Sequence, residues 1–161
     1  MFRLVSESAA KRPRMVYIQC NTSENRTVMR STIYRSVVLP APAAELYDMY
    51  MDAETHAAFT GAPAKISDEP GSDFEAFGGL LTGTILQAVK PLLIVQSWRS
   101  VNFADDDPDS TLIISFTEEE EGEGRIDLVH LDVPESDFQG VTGGWESRYF
   151  TPWLSYLQAR D

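Results

Sequence analysis

The sequence predicts an α+β fold in which a curved antiparallel β-sheet wraps around a long C-terminal α-helix. Two short helical patterns follow the first β-rich segment, and a series of short β-rich runs separated by turn residues comes next. The C-terminal part then returns to a helical pattern that is rich in aromatic residues. Such a helix needs a large apolar surface to lie against, and a curved sheet supplies one.

The first three elements are a strand and two short helices. Residues 28–39 are rich in β-branched and aromatic residues and predict a strand. Leu46, Met49 and Tyr50 then follow at the spacing that places apolar side chains on one face of a helix. A second short helix is predicted at about residues 53–59.

Six further strands are predicted between the short helices and the C-terminal helix, because glycine and proline divide this region into short β-rich runs. The predicted strands span residues 64–67, 73–77, 81–89, 92–101, 111–117 and 125–133. The expected order is therefore one strand, two helices, six strands and one long helix.

The long C-terminal helix is predicted from four apolar residues that lie four positions apart. These residues are Trp145, Tyr149, Trp153 and Leu157. Side chains at this spacing lie along one face of a helix. Pro152 stands inside the pattern, where proline removes a backbone hydrogen bond at a cost of about 3 kcal/mol, so we expect a kink there rather than the end of the helix.

Length and charge restrict the classes of function. The 161 residues correspond to one domain. The net charge is −12, but residues 1–30 contain six basic and two acidic residues, so the remainder carries −16. A body this acidic repels phosphate groups, and we expect neither nucleic-acid binding nor binding to an anionic membrane surface. No apolar run approaches the length of about 18 residues that a membrane span needs, so no membrane span is expected.

The N-terminal segment is expected to be separate from the fold. Residues 1–27 are predicted to form a flexible extension, and residues 28–161 to form the domain. The single cysteine, Cys20, fits no zinc-ligand spacing and cannot form an intramolecular disulfide. A reducing compartment is consistent with this, and we expect the protein to be cytoplasmic.

Several segments together resemble one protein family. They are TGAP at 60–63, FGG at 77–79, PLLIVQSWR at 91–99, HLDVP at 130–134 and GGWESRYFTPW at 143–153. The sequence resembles, over about residues 28–159, homologues of the C-terminal domain of the activator of the 90-kDa heat-shock chaperone ATPase. These belong to the START-like helix-grip (SRPBCC) superfamily. The eukaryotic activator also has an N-terminal domain, which residues 1–27 are too short to replace.

The resemblance implies a cavity between the sheet and the C-terminal helix, which the superfamily uses for lipids and other apolar molecules. Aromatic residues are typical of such cavities, with a few polar groups placed among them. The residues that we expect to contact a ligand are Phe59, Phe74, Phe77, Trp98, Arg99, Phe116, His130, Trp145, Tyr149 and Trp153. Trp98, Trp145 and Tyr149 are the strongest candidates, and Arg99 is a candidate polar anchor at the rim.

Catalytic and metal-binding interpretations are weaker. His56 and His130 stand near no nucleophile motif, and we interpret both as structural. Asp105, Asp107 and Asp109 have the spacing of a calcium loop, but Ser110 replaces the required glycine and Phe116 the terminal glutamate. No phosphate-binding glycine pattern is present. We therefore expect no catalytic residue, no metal site and no cofactor.

Three functions remain open at this stage. The first is binding of a small hydrophobic or lipid-like molecule in the cavity. The second is that of a chaperone-accessory protein whose partner is a heat-shock 90-type chaperone; the acidic segment 118–124 could dock a basic partner. The third is that of an enzyme similar to polyketide cyclases and dehydrases, which would need a titratable residue inside the cavity.

Overall fold

A six-stranded antiparallel sheet forms the body of the fold. The computed structural model describes residues 29–160, and the expected extension at residues 1–27 lies outside them. The strands are β1 (Arg30–Leu39), β2 (Asp73–Ala76), β3 (Leu81–Val89), β4 (Leu93–Ser100), β5 (Ser110–Glu120) and β6 (Glu123–Pro134). Their order in the sheet is β1-β6-β5-β4-β3-β2, and every neighbouring pair is antiparallel.

The helices lie before and after the long strands, in the predicted order. They are α1 (Ala43–Met51), α2 (Ala53–Thr60), α3 (Phe138–Gly144), a π-helical segment (Trp145–Phe150) and α4 (Thr151–Gln158). Short 3₁₀ turns occupy Phe77–Gly79 and Glu135–Asp137. Asp52 separates α1 from α2, since its backbone is extended and its carboxylate accepts the Thr55 N–H at 2.8 Å. The α+β helix-grip fold is confirmed.

One predicted strand is shorter than expected. Residues 64–67 form a single bridge between Lys65 and Glu75 rather than a ladder. The segment reads as a β-rich run in the sequence, but it lies between two turns and contributes one pair of backbone hydrogen bonds, each of 2.8 Å. The sheet therefore has six strands when β1 is included.

Irregularities in pairing accompany the curvature of the sheet. The register shifts between Ser31 and Ile33, between Ile85 and Gln87, and between Glu118 and Glu120. Bulges of this kind bend a strand and increase its twist. Gly83 marks a close approach between strands, because a Cβ atom there would collide with the Ser97 carbonyl oxygen.

The C-terminal helix covers the concave face of the sheet. The side chains predicted to share one face, Trp145, Tyr149, Trp153 and Leu157, are all buried. From β4 the side chains of Ile94, Gln96, Trp98 and Ser100 are buried at alternating positions and lie on one face of the strand. The core therefore lies between this face of the sheet and the helices.

The helical segment continues through Pro152 rather than ending there, and the kink expected at this residue stays a prediction. Just before the proline, the hydrogen-bond pattern widens: the Thr151 N–H donates to the Glu146 carbonyl oxygen, five residues earlier. Pro152 follows this widened turn directly, as the second residue of α4. In residues 29–160, no helix is both long and apolar enough to cross a bilayer.

Candidate functional site

A cavity of about 750 Å³ opens between one end of the sheet and the start of the C-terminal helix. Its walls come from the Phe77–Gly79 turn, the end of β4, the residues that follow β4, and the α3–π segment. The lining residues are Phe77, Leu80, Leu81, Trp98, Ser100, Val101, Asn102, Asp137, Gln139, Gly140, Val141, Gly143, Gly144, Trp145, Ser147, Arg148 and Tyr149.

The inner wall is aromatic. Trp145 and Tyr149 lie with ring centroids 4.7 Å apart, and the Phe77 ring meets Tyr149 edge-on at 5.4 Å. Trp98, on the sheet side, lies 6.4 Å from Trp145. These rings pack against one another in tilted and edge-on geometries that aromatic pairs prefer. The inner wall is therefore made of packed aromatic rings.

Two exposed apolar residues, Leu80 and Val101, border the mouth of the cavity, and polar residues surround them. Leu80 is 55% exposed and Val101 is 62% exposed, and the Val101 N–H donates to the Leu80 carbonyl oxygen at 3.0 Å. Gln139 and Arg148 stand exposed in the polar rim. Leu80 and Val101 thus lie outside the core, at the opening of the cavity.

His130 is held in a chain of three hydrogen bonds behind the aromatic wall. The Trp145 indole, which can only donate, donates its Nε1–H to His130 Nδ1 at 3.2 Å. Ser110 Oγ donates to the Trp98 carbonyl oxygen at 2.8 Å, so it accepts from His130 Nε2–H at 2.8 Å. All three contacts are satisfied by one neutral tautomer of His130, with the proton on Nε2.

This environment disfavours a charged imidazole. Burial lowers the pKa of His130 to about 3. Protonation of Nδ1 would also set two donors, the imidazolium and the Trp145 indole, against each other. The structure thus places His130 as a buried neutral group, and it is not among the residues that line the cavity.

His56, the second histidine, is buried in contact with the Tyr149 ring. Its Nδ1–H donates to the Tyr50 carbonyl oxygen at 2.7 Å, and its ring meets the Tyr149 ring edge-on at 5.6 Å. Burial lowers the pKa of His56 below its ordinary value. Burial also raises the pKa of the Tyr149 phenol above its ordinary value, which is already well above neutral pH.

Four of the ten predicted ligand-contacting residues line the cavity: Phe77, Trp98, Trp145 and Tyr149. Six lie elsewhere. Phe59 stacks on Trp153 at 4.3 Å, Phe116 meets Tyr47 edge-on at 5.5 Å, and Phe74 is buried beside Gly83. His130 belongs to the hydrogen-bond chain, and Arg99 faces the segment after β4.

Arg99 holds a loop rather than standing at the rim of the cavity. Its guanidinium donates to the carbonyl oxygens of Asp107 at 2.6 Å and Ala104 at 2.7 Å, and pairs with the Asp109 carboxylate at 3.1 Å. The Asp107 carboxylate accepts the Ala104 N–H at 2.9 Å. Two of the three aspartates with calcium-loop spacing, Asp107 and Asp109, are thus engaged within the loop. The residues described contain no cluster of three metal-ligating side chains.

The sequence did not predict the two exposed apolar residues at the mouth of the cavity, nor the small residues that line it. Ser100 follows Trp98 by two positions and was detectable from strand alternation. Gly143 and Gly144 line the cavity, and a Cβ atom added to either would meet nothing within 4 Å. Two glycines on the helix that faces the sheet leave volume unfilled there. Leu80 follows the Phe77–Gly79 turn and carried no periodic signal. Val101 belonged to the predicted strand 92–101, but β4 ends at Ser100, and alternation sets Val101 apart from Trp98.

Comparison with known proteins identifies the family of this chain. The model of a family described as "Activator of Hsp90 ATPase homolog 1-like protein" matches residues 40–151. The chain belongs to this family. Its matched region runs from the start of α1 to the end of the π-helical segment, and it contains all the residues that line the cavity.

Curated relatives carry the same description at low identity. The chain is 24% identical over 102 residues to an activator of 90 kDa heat shock protein ATPase homolog from Dictyostelium discoideum. It is 26% identical over 106 residues to the human activator homolog 1. The matches cover 63% and 66% of this chain but 26% and 31% of the relatives, so the chain spans less than a third of their length.

Solved structures share the fold. An HSP90 activator from Plasmodium falciparum superposes with a TM-score of 0.73 at 21% identity, covering 79% of this chain and 96% of that one. CalU16 from Micromonospora echinospora superposes with a TM-score of 0.65 at 20% identity, covering 91% and 83%. At such identities the likeness is one of fold, and fold alone does not decide function.

Proposed function

We propose that this protein binds a small apolar molecule in the cavity between the sheet and the C-terminal helix. The observation that carries the proposal is the aromatic wall formed by Phe77, Trp98, Trp145 and Tyr149. Ligand sites are typically concave, about 300–1,000 Å³ in volume, and lined mainly by apolar and aromatic side chains with few polar groups. The cavity of about 750 Å³ has this size and this lining.

The charges around the cavity support an uncharged ligand body. The inner wall holds no ionised side chain, since a tyrosine is neutral near pH 7 and burial raises the pKa of Tyr149 further. Asp137 and Arg148 bring one charge of each sign to the rim. An ionised group moved into the aromatic interior would lose its hydration without a partner, which is strongly unfavourable.

The test is mass spectrometry of an organic extract of the protein purified from its own host. We expect one apolar compound in stoichiometric amount. The unaltered protein is compared with Gly144→Leu, a variant that places a side chain where the structure has open space. The compound should be lost from this variant. Equal amounts in both preparations would place the compound outside the cavity, and an empty extract from both would favour the partner-binding function below.

A chaperone-accessory role is the second candidate, and the family favours it. The curated relatives and one structural neighbour are named as activators of the 90-kDa heat-shock protein. The β5–β6 hairpin offers an acidic tip, where Glu120, Glu121 and Glu123 are exposed. This tip suits a basic surface on a partner.

The test is the ATPase rate of a 90-kDa heat-shock chaperone with and without this chain, at low and high salt. Stimulation that weakens with salt, and that is lost when Glu120, Glu121 and Glu123 are changed to glutamine, would support the role. The matched control removes the same three charges elsewhere, by Glu54→Gln, Asp105→Asn and Asp106→Asn at exposed positions away from the hairpin. No stimulation by the unaltered chain would count against it.

The compound recovered in the same extract can also be used to test the hypothesis of a cyclase or dehydrase activity. An enzyme of this type needs a titratable group in the cavity, and Tyr149 is the titratable side chain of the inner wall. If the compound recovered with the protein were converted on incubation, and Tyr149→Phe stopped the conversion, the protein would be an enzyme. Unchanged compound after incubation favours a carrier.

A further inference from the structure

Arg148 is the cationic side chain of the cavity lining, and it is exposed at the mouth. In residues 29–160 every other lysine and arginine has a hydrogen-bond or ion-pair partner. The partners are backbone carbonyl oxygens for Arg30 and Arg35, and carboxylates for Lys65, Lys90, Arg99, Arg125 and Arg160. Arg148 has neither kind of partner among these residues. In a chain of net charge −12, an unpaired guanidinium is available to an acceptor that enters the cavity mouth.

The helical backbone directs the Arg148 side chain toward open space in the cavity. Side chains on a helix lean toward its N-terminus, so Arg148 leans over the turn that contains Gly143 and Gly144. Both glycines line the cavity, and a Cβ atom on either would meet nothing within 4 Å. The arginine therefore lies beside volume that the protein leaves unfilled, one helical turn from Trp145 in the aromatic wall.

Asp137, the acidic side chain of the lining, lies apart from Arg148 along the helix. Asp137 precedes α3, whereas Arg148 lies in the π-helical segment. At about 1.5 Å per helical residue, the two positions are on the order of 15 Å apart along the axis. This exceeds the screening length of about 8 Å at physiological salt, so Asp137 opposes an anion beside Arg148 only weakly.

We propose that the ligand is an amphipathic monocarboxylic acid whose carboxylate pairs with Arg148 at the cavity mouth and whose apolar body lies against the aromatic wall. This rests on the proposed function, that the cavity binds an apolar molecule at all. A guanidinium presents parallel N–H donors that match the two oxygens of a carboxylate. The carboxylate remains at the hydrated mouth, so no charge enters the aromatic interior.

A carboxylate suits this mouth better than a phosphate monoester does. A phosphate monoester carries about −1.5 to −2 charges near neutral pH, whereas a carboxylate carries one. Arg148 supplies one positive charge to the lining, and the chain as a whole is strongly acidic. The second phosphate charge would therefore be repelled without a partner.

The experiment compares two compounds that differ in one end group. The probes are pyrenebutyric acid and pyrenebutanol, which have the same ring system and chain, and fluorescence anisotropy near neutral pH gives their dissociation constants. The proteins are the full chain, Arg148→Gln, Arg148→Lys and Arg35→Gln. Arg35→Gln is the matched control, because it removes the same charge from a residue that does not line the cavity. Circular dichroism verifies that each variant is folded.

For the full chain and for Arg35→Gln we expect the same preference for the acid relative to the alcohol. In Arg148→Gln that ratio should fall about fivefold, which corresponds to about 1 kcal/mol, while the affinity for the alcohol is unchanged. Arg148→Lys should give an intermediate ratio, since lysine keeps the charge but lacks the paired donors.

Three results would overturn the inference while leaving apolar binding intact. The first is an unchanged ratio in Arg148→Gln with both compounds bound. The second is an equal fall in Arg35→Gln, which would show an effect of net charge alone. The third is binding of the alcohol but not the acid by the full chain. Binding of neither compound by the full chain would contradict both the proposed function and this inference.

Discussion

The Trp145 indole donates to His130 Nδ1 across 3.2 Å, and this bond connects the π-helical segment to strand β6 of the sheet. Trp145 is also part of the cavity wall, so one side chain joins the core to the candidate site. His130 in turn donates a hydrogen bond from Nε2–H to Ser110 Oγ on the neighbouring strand, β5. The orientation of Trp145 in the aromatic wall of the cavity thus depends on the buried hydrogen bonds that link it to His130 and Ser110.

Removing the Ser110 hydroxyl should destabilise the protein. Ser110→Ala leaves His130 Nε2–H buried without an acceptor, and we expect a loss of about 1–3 kcal/mol in the free energy of unfolding. The matched control is Ser115→Ala on the same strand, which has one weak contact of 3.5 Å and should change stability by less than about 0.5 kcal/mol. Urea unfolding measures both. Equal effects of the two substitutions would contradict the hydrogen-bond chain.

Stability should fall with acidification because His130 resists protonation only in the folded state. Its folded pKa is about 3, against an unfolded value of about 6.5. Between these values the unfolded chain binds one more proton, so this contribution to stability is complete above pH 6.5 and is lost as the pH falls toward 3. The slope from this histidine is at most about 1.4 kcal/mol per pH unit.

The measurement is the free energy of unfolding by urea from pH 4 to 8 for the unaltered chain and for His130→Gln. Carboxylates titrate in both proteins, so the difference between the two curves isolates the histidine. We expect the variant to have the shallower dependence between pH 4 and 6. Parallel curves would show that His130 is not protected from protons.

Substitutions at two glycines should have opposite effects. Gly144 has helical backbone angles and space beside it, so Gly144→Ala should stabilise the helix by about 0.5–1 kcal/mol. Gly83→Ala places a Cβ atom against the Ser97 carbonyl oxygen and should destabilise the protein by about 3 kcal/mol. Thermal unfolding measures both. A stabilising Gly83→Ala would be incompatible with the close approach of β3 and β4.

Arg99→Lys should loosen the loop beside the cavity mouth. Lysine cannot reproduce the fork that reaches the carbonyl oxygens of Asp107 and Ala104, and we expect a loss of about 1–2 kcal/mol with faster amide exchange in residues 101–109. Arg125→Lys is the comparison, because Arg125 makes partly exposed ion pairs that contribute about 0.2–1 kcal/mol. Hydrogen exchange that stays slow in the Arg99 variant would show that other contacts hold the loop.

The sequence predicted the elements better than the site. Strand alternation and the four-residue spacing located the sheet and the buried face of the C-terminal helix, because both depend on which side chains avoid water. The same residues could not be sorted into core and cavity. Phe59 and Trp153 stack on each other, whereas Trp145 and Tyr149 face unfilled space, and all four are aromatic residues of helices.

The sequence by itself determined the family, the order of the elements, the absence of recognisable catalytic and phosphate-binding motifs, and the aromatic character of the helix that faces the sheet. The tertiary structure decided where the sheet and helix separate, which indole N–H is paired, and that Arg99 holds a loop. Those outcomes depend on distances between residues far apart in the chain, such as Trp98 and Trp145. Periodicity reports which face of an element is buried, but only packing decides what that face meets.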